Sequence, residues 1–143
     1  MAGTSVQPYL FFGGRCDEAL EFYGRVLGAQ VEFLMRFGES PDPPPPGSIP
    51  PGFEDKVMHA AVQIGTTHLF VSDGCDLEPK FEGFSLSLAL TSEGEAHKIF
   101  AELSDGGQVQ MPLNKTFWSP CFGMLVDRFG ISWMINVVDD CPE

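Results

Sequence analysis

A chain of 143 residues with 43% apolar content and 13 phenylalanines is long enough for one globular domain that buries its own core without disulfide or metal staples. Twenty acidic residues against eight basic ones give a formal charge of −12, which repels phosphate backbones and anionic lipid and argues against nucleic-acid or membrane-surface binding. No apolar run approaches a membrane span, Met1 to Gln7 lack the regions of a secretory signal, and Cys16, Cys75, Cys121 and Cys141 stand apart without a paired motif, so the expectation is a cytoplasmic protein with reduced thiols.

Val6 to Phe12 reads as a short strand stopped by Gly13-Gly14. Asp17 to Leu27 reads as a helix, with Ala19, Leu20, Phe22, Tyr23, Val26 and Leu27 on one face and Gly28 as its stop. Cys16 falls near its N-terminus, where a thiolate would be stabilised, although no base stands beside it in sequence. Gln30 to Phe37 alternates as a strand, with Val31, Phe33, Met35 and Phe37 on one side. The loop 41–52 holds seven prolines and is neither strand nor helix. Lys56 to Ile64 and Thr67 to Ser72 form a hairpin around Gly65-Thr66.

The same order then recurs. Glu18-Ala19 is matched 77 positions later by Glu95-Ala96, Phe22-Tyr23 by Ile99-Phe100, and Gly28-Ala29-Gln30-Val31 by Gly106-Gly107-Gln108-Val109 after one extra residue. Phe84 to Leu90 is a strand, and Ser92 with Glu95 forms a capping box for a helix to about Ser104. Gln108 to Leu113 is a short strand. Cys121 to Val126 and Ile131 to Val138 form a hairpin across Asp127-Arg128-Phe129-Gly130, where Asp127 and Arg128 fix the turn. The fold class is therefore α+β, with βαβββ occurring twice, in one domain over 1–143 built of modules at about 5–75 and 82–139.

Strand parity separates a greasy face from a polar one. Phe84, Leu86, Leu88 and Leu90 oppose Ser85, Ser87 and Ala89. Ile131, Trp133, Ile135 and Val137 oppose Ser132, Met134 and Asn136, and Met58, Ala60, Val62 and Ile64 oppose Val57, His59, Ala61 and Gln63. The polar faces are expected to curl into a cavity with a few hydrogen-bonding groups. His59 is the foremost acid–base candidate there. Glu39, ahead of the proline loop, and Lys115, in the equivalent connection of the second module, are its candidate assistants; an ion pair between them is the structural alternative. Tyr9, Ser85, Ser87, Phe117, Trp118, Ser132 and Asn136 are the expected ligand-binding residues, the rings by stacking. His68 and His97 read as exposed, and the proline loop as a semi-rigid flap or, less simply, a docking segment for a partner.

Over nearly its whole length the chain resembles the PhnB-like branch of the vicinal oxygen chelate superfamily, which includes glyoxalase I, extradiol dioxygenases, methylmalonyl-CoA epimerase and bleomycin-resistance proteins. The resemblance lies in Gln7-Pro8-Tyr9-Leu10-Phe11-Phe12, Leu27-Gly28-Ala29, Glu39-Ser40-Pro41, Val57-Met58-His59 and Val71-Ser72-Asp73. It continues through Met111-Pro112-Leu113, Lys115-Thr116-Phe117-Trp118, Asp127-Arg128-Phe129-Gly130 and Trp133-Met134-Ile135-Asn136-Val137. It implies the glyoxalase/bleomycin resistance/dihydroxybiphenyl dioxygenase-like fold, with curved mixed sheets enclosing a cavity, and a homodimer. Metal ligands of that superfamily carry over to positions near Pro8, Ser85 and Met134 and to a place within Leu69 to Ser72, where no carboxylate occurs. No metal ligand is therefore assigned and no cofactor expected, with a divalent metal left open. The expected function is binding of a small organic molecule, with metal-independent or weakly metal-assisted lyase or isomerase chemistry at His59. The alternative is ligand sequestration without turnover, as in resistance proteins.

Overall fold

The structure, a computed structural model, describes residues 3–42 and 44–138. The acidic tail from Asp139, and Cys141 within it, lie outside the described residues. The chain divides into two compact units, residues 1–79 and 80–143.

Unit 1 contains β1 (Tyr9–Phe11), α1 (Cys16–Leu27), β2 (Gln30–Arg36), β3 (Val57–Ile64) and β4 (Thr67–Ser72). Its sheet runs β1-β4-β3-β2, with β1 parallel to β4 and the other pairs antiparallel. Unit 2 contains β5 (Leu86–Leu90), α2 (Glu93–Leu103), β6 (Gln108–Asn114), β7 (Cys121–Val126) and β8 (Ser132–Val137). Its sheet runs β5-β8-β7-β6, again with only the first pair parallel. The internal sequence repeat is thus a repeat of topology. Ala19, Tyr23 and Val26 of α1 and their counterparts Ala96, Phe100 and Leu103 of α2 are all buried.

Each helix turns its apolar stripe toward its own sheet, α1 packing on β3 and α2 on β5, β7 and β8. Leu10, Val71 and Ala60 lie in register across unit 1 and are buried, as are Trp133, Ile135 and Val137 along β8. Gly28 ends α1 in the left-handed conformation at φ 70°, returning its N–H to Gly24. Gly107 has a different reason: a Cβ there would collide with the Val126 carbonyl. Ser92 accepts the Glu95 N–H at the start of α2, which is one of the two bonds of the expected capping box. In the β7–β8 turn, Asp127 accepts the N–H groups of Phe129 and Ile131 and, at 2.8 Å, the indole N–H of Trp133. Its turn-fixing role is as expected.

The buried carboxylate of Asp73, which sequence reading gave no role, closes unit 1. Its Oδ1 accepts the N–H groups of Gly14 and Cys16, and its Oδ2 accepts that of Val57, each at 2.8 Å. One side chain so joins the β1–α1 turn, the first turn of α1, the start of β3 and the end of β4, with its charge at the positive end of the α1 dipole.

Four sequence expectations are corrected. Val6 is 95% exposed and precedes β1, and Phe84 precedes β5, so both first strands are shorter than their apolar runs. Register shifts after Val31 and Met35 break the single face expected of β2. Phe37 then falls in a 3-10 turn (Phe37–Glu39), buried against Phe53, while Val31 and Phe33 stay exposed. Val57 is buried although its parity places it with His59. Cys16 is buried and no stabilised thiolate: burial, followed by the Asp73 and Asp17 carboxylates, pushes its thiol far above the ordinary value. No helix among the described residues is long and apolar enough to cross a membrane.

Two measurements test this frame. Asp73→Ala leaves three backbone N–H groups unsatisfied and should lower the unfolding free energy by about 3 kcal/mol or more in urea titration; an unchanged midpoint would contradict its role. Alkylation of the native protein should modify Cys75, which is exposed, and spare Cys16 until denaturant is added, as read by peptide mass spectrometry. Native Cys16 keeps its proton where the unfolded chain loses it, so its contribution is present below the ordinary thiol value of 9.0 and stability should fall as pH rises beyond it.

Candidate functional site

On the face of the unit 1 sheet turned away from Leu10, Val71 and Ala60, alternation brings aromatic residues together. Register aligns Tyr9 with Phe70, Phe70 with Ala61, and Ala61 with Phe33 across all four strands. Phe11 lies two residues along β1 from Tyr9, and His59 two along β3 from Ala61, so both share that face. Tyr9 stacks on Phe11 with ring centroids 5.0 Å apart. His59 sits 5.3 Å from Phe70, 5.6 Å from Tyr9 and 6.1 Å from Phe33. Tyr9, Phe11 and Phe33 remain 42%, 45% and 49% exposed. A contiguous patch of half-open rings is costly in water and characteristic of a binding surface.

One hydrogen bond gives this patch chemical direction. Tyr9 Oη lies 2.8 Å from His59 Nδ1. The phenol donates to Nδ1 in one imidazole tautomer and accepts Nδ1–H in the other. Burial raises the Tyr9 pKa further above its ordinary value, so the phenol keeps its proton at neutral pH. His59 Nε2 has no hydrogen bond among the described residues; it is a donor in the first tautomer and a base in the second. Sequence reading named Tyr9 and His59 separately; their pairing, and the parts of Phe11, Phe33 and Phe70, follow from register between strands. Parity did carry a usable signal, since Tyr9 and Phe11 on one strand and His68, Phe70 and Ser72 on another show the same alternation.

The other candidates of unit 1 have different surroundings. Glu39 is exposed at the end of the 3-10 turn and accepts the Arg36 N–H at 2.8 Å, and no hydrogen bond joins it to the Tyr9–His59 pair among the described residues. His68 is exposed, as expected, with Nδ1 2.9 Å from Glu32. Arg36 pairs with Asp17 at 2.9 Å and holds that carboxyl below its usual range.

In unit 2, Ser85 and Ser132 share a hydrogen bond of 2.7 Å. Ser87 is exposed and aligned with Met134, which continues in register through Met124 to Met111, a row of thioethers that sequence reading did not single out. Asn136 lies between Ala89 and Phe122, and its Oδ1 is buried with no hydrogen-bond partner among the described residues. Lys115, Phe117 and Trp118 line a cleft of about 650 Å³ together with Thr91, Glu93 and Val138. His97, on α2, is exposed, with Nε2 4.0 Å from the sulfur of Cys121.

The positions to which the resemblance carried metal ligands make the following contacts in this structure. The Pro8 carbonyl accepts the Phe70 N–H, Ser85 bonds Ser132, and Met134 belongs to the thioether row. Among the described residues no three His, Cys, Asp or Glu side chains gather as a metal cluster.

Comparison with known proteins agrees with this architecture. Residues 4–136 match the 3-demethylubiquinone-9 3-methyltransferase family. The chain is 34% identical to protein YjdN of Escherichia coli (strain K12), with 96% of this chain and 97% of that protein covered. Protein PA1353 from Pseudomonas aeruginosa is similar in structure at 40% identity and a TM-score of 0.82, covering 96% of this chain and 100% of that one. A PhnB protein from Bacillus cereus follows at 25% identity and 0.78, covering 94% and 100%. In fold alone, a glyoxalase-related enzyme from Fulvimarina pelagi and the fosfomycin resistance protein FosX from Listeria monocytogenes match with TM-scores of 0.60 and 0.63. The α+β architecture and the PhnB-like kinship expected from the sequence both hold, and the fold is one shared with a glyoxalase-related enzyme.

Proposed function

The chain belongs to the 3-demethylubiquinone-9 3-methyltransferase family, and on that premise we propose that it binds a small planar organic molecule and moves a proton on it. The observation that carries this reading is the Tyr9–His59 hydrogen bond of 2.8 Å inside a patch of half-exposed rings. The family's name points to an oxygenated ring as the ligand class, and such a ring suits a wall of Tyr9, Phe11, Phe33 and Phe70.

In the proposed step the ligand ring lies against Tyr9 and Phe70. His59 donates Nδ1–H to the Tyr9 oxygen, leaving a lone pair on Nε2. That nitrogen takes a proton from an acidic C–H or O–H of the ligand, becomes imidazolium, and returns the proton at a neighbouring atom. The net change is an isomerisation, and no electron or co-reactant is needed. Tyr9 orients the imidazole and accepts its hydrogen bond throughout. The reading is metal-independent, because Pro, Ser and Met at the superfamily's metal positions are poor donors for a zinc-like cation. A cytoplasmic homodimer is the setting proposed for it, by kinship.

A second reading, sequestration without turnover, draws support from the extent of exposed aromatic surface. One experiment separates them. A panel of substituted phenols and quinones is screened by thermal shift, and every binder is followed for isomerisation by NMR. Proton transfer predicts that His59→Ala lowers turnover about 100-fold or more with affinity little changed, and that Tyr9→Phe lowers it less. Full turnover in His59→Ala would remove the catalytic role. Binding without turnover in the parent protein, weakened by Phe70→Ala, would favour sequestration, and failure of every compound to bind would sink both.

A further inference from the structure

The connection between β6 and β7 builds a second site, wholly within unit 2. Thr116 N–H donates to the Ser119 carbonyl at 2.9 Å, and Ser119 N–H returns a bond to Thr116 Oγ1 at 3.1 Å. The buried Ser119 hydroxyl is within hydrogen-bond distance of the carbonyls of Val137, at 2.7 Å, and Cys121, at 2.9 Å. The turn is therefore closed on itself and pinned to β8 and β7 from below. Its tip carries two aromatic residues, Phe117 at 96% and Trp118 at 55% exposure. Their rings meet edge to face at 4.7 Å, and Trp118 meets Phe122 in the same manner at 5.3 Å. A rigid turn that holds an indole half in water gains nothing for the core; it presents a preorganised stacking surface.

The cleft beside this tip, about 650 Å³, is of a size that takes a small ligand. Its lining includes one cation, Lys115, and one anion, Glu93 in the first turn of α2. Neither has an ion-pair partner among the described residues. An aromatic surface flanked by one unpaired positive and one unpaired negative group is complementary to an aromatic molecule carrying both charges. A simple aromatic anion would leave Glu93 opposed, and a simple aromatic cation would leave Lys115 opposed.

We propose that this cleft binds an aromatic α-amino acid, its ring against Trp118, its carboxylate on Lys115 and its ammonium on Glu93. The site does not depend on proton transfer in unit 1, and the two stand or fall separately. L-phenylalanine is titrated into the full chain, followed by calorimetry and by tryptophan emission, which reports Trp118 because Trp133 is buried on Asp127. Two analogues each remove one charge, 3-phenylpropanoate the ammonium and phenethylamine the carboxylate.

Saturable binding of phenylalanine is expected, with each analogue weaker by about tenfold. Lys115→Met should weaken phenylalanine and 3-phenylpropanoate and leave phenethylamine unchanged, and Glu93→Gln should weaken phenylalanine and phenethylamine alone. Trp118→Phe should abolish the emission change while heat of binding persists. Circular dichroism establishes that each variant is folded. No saturable signal with phenylalanine up to about 10 mM, equal affinity for all three probes, or binding indifferent to both charge variants would overturn the proposal.

Discussion

Unit 1 depends on a single buried carboxylate. The parallel contact between β1 and β4 is only three residue pairs long, too short to hold a strand in place by its own hydrogen bonds. Asp73 extends the attachment beyond the sheet, taking N–H groups from Gly14, Cys16 and Val57 while its own backbone bonds Val57 and Gly13. Burying that charge is tolerable because backbone donors and a helix N-terminus surround it. Because β1 is held, Tyr9 stays over Phe70 and within reach of His59. The Tyr9–His59 pair is thus positioned by a residue to which no hydrogen bond joins it among the described residues.

The two units show how one topology serves different surfaces. In unit 1 the face away from the buried core residues is aromatic and carries an imidazole, the groups on which the proposed stacking and proton transfer rest. In unit 2 the corresponding strands offer hydroxyls, an amide and three thioethers in register. Thioethers are polarizable and conform to varied shapes, so this surface is softer than the ring-lined face of unit 1. The β6–β7 turn of unit 2 differs again: buried Ser119 holds it, and its two rings stand beside a cation and an anion that have no ion-pair partner among the described residues.

The connections between the second and third strands of each unit have also diverged. That of unit 1 is long and proline-rich, and it borders a cavity of about 580 Å³ lined by Phe37, Ile49, Glu54 and prolines. Proline fixes φ and withdraws a donor, so this segment stays out of the sheet and folds back beside the 3-10 turn at Phe37–Glu39 and a second one at Phe53–Asp55. That of unit 2 is short and held by hydroxyl-to-backbone bonds. The first makes an apolar hollow, the second a charged cleft with an aromatic rim.

The sequence by itself determined the repeat, the two helices with their stops, the hairpins and the alternation of most strands, β2 excepted, because these depend on local periodicity and on glycine, proline and capping residues. Thr67–Ser72 and Cys121–Val126 coincide with the apolar runs that predicted them. It also named Tyr9, His59, Lys115, Phe117 and Trp118 as residues of interest. Only tertiary structure decided which of them meet. The Tyr9–His59 bond joins residues 50 positions apart through a register that crosses β1, β4 and β3. The shifts in β2 that bury Phe37 and expose Phe33 come from pairing with β3 and leave no mark in the alternation. Cys16 follows the same logic: helix position alone favours a thiolate, but burial beside Asp73, distant in sequence, holds it as a thiol. Local periodicity fixes where a side chain points, and partners distant along the chain fix what it faces.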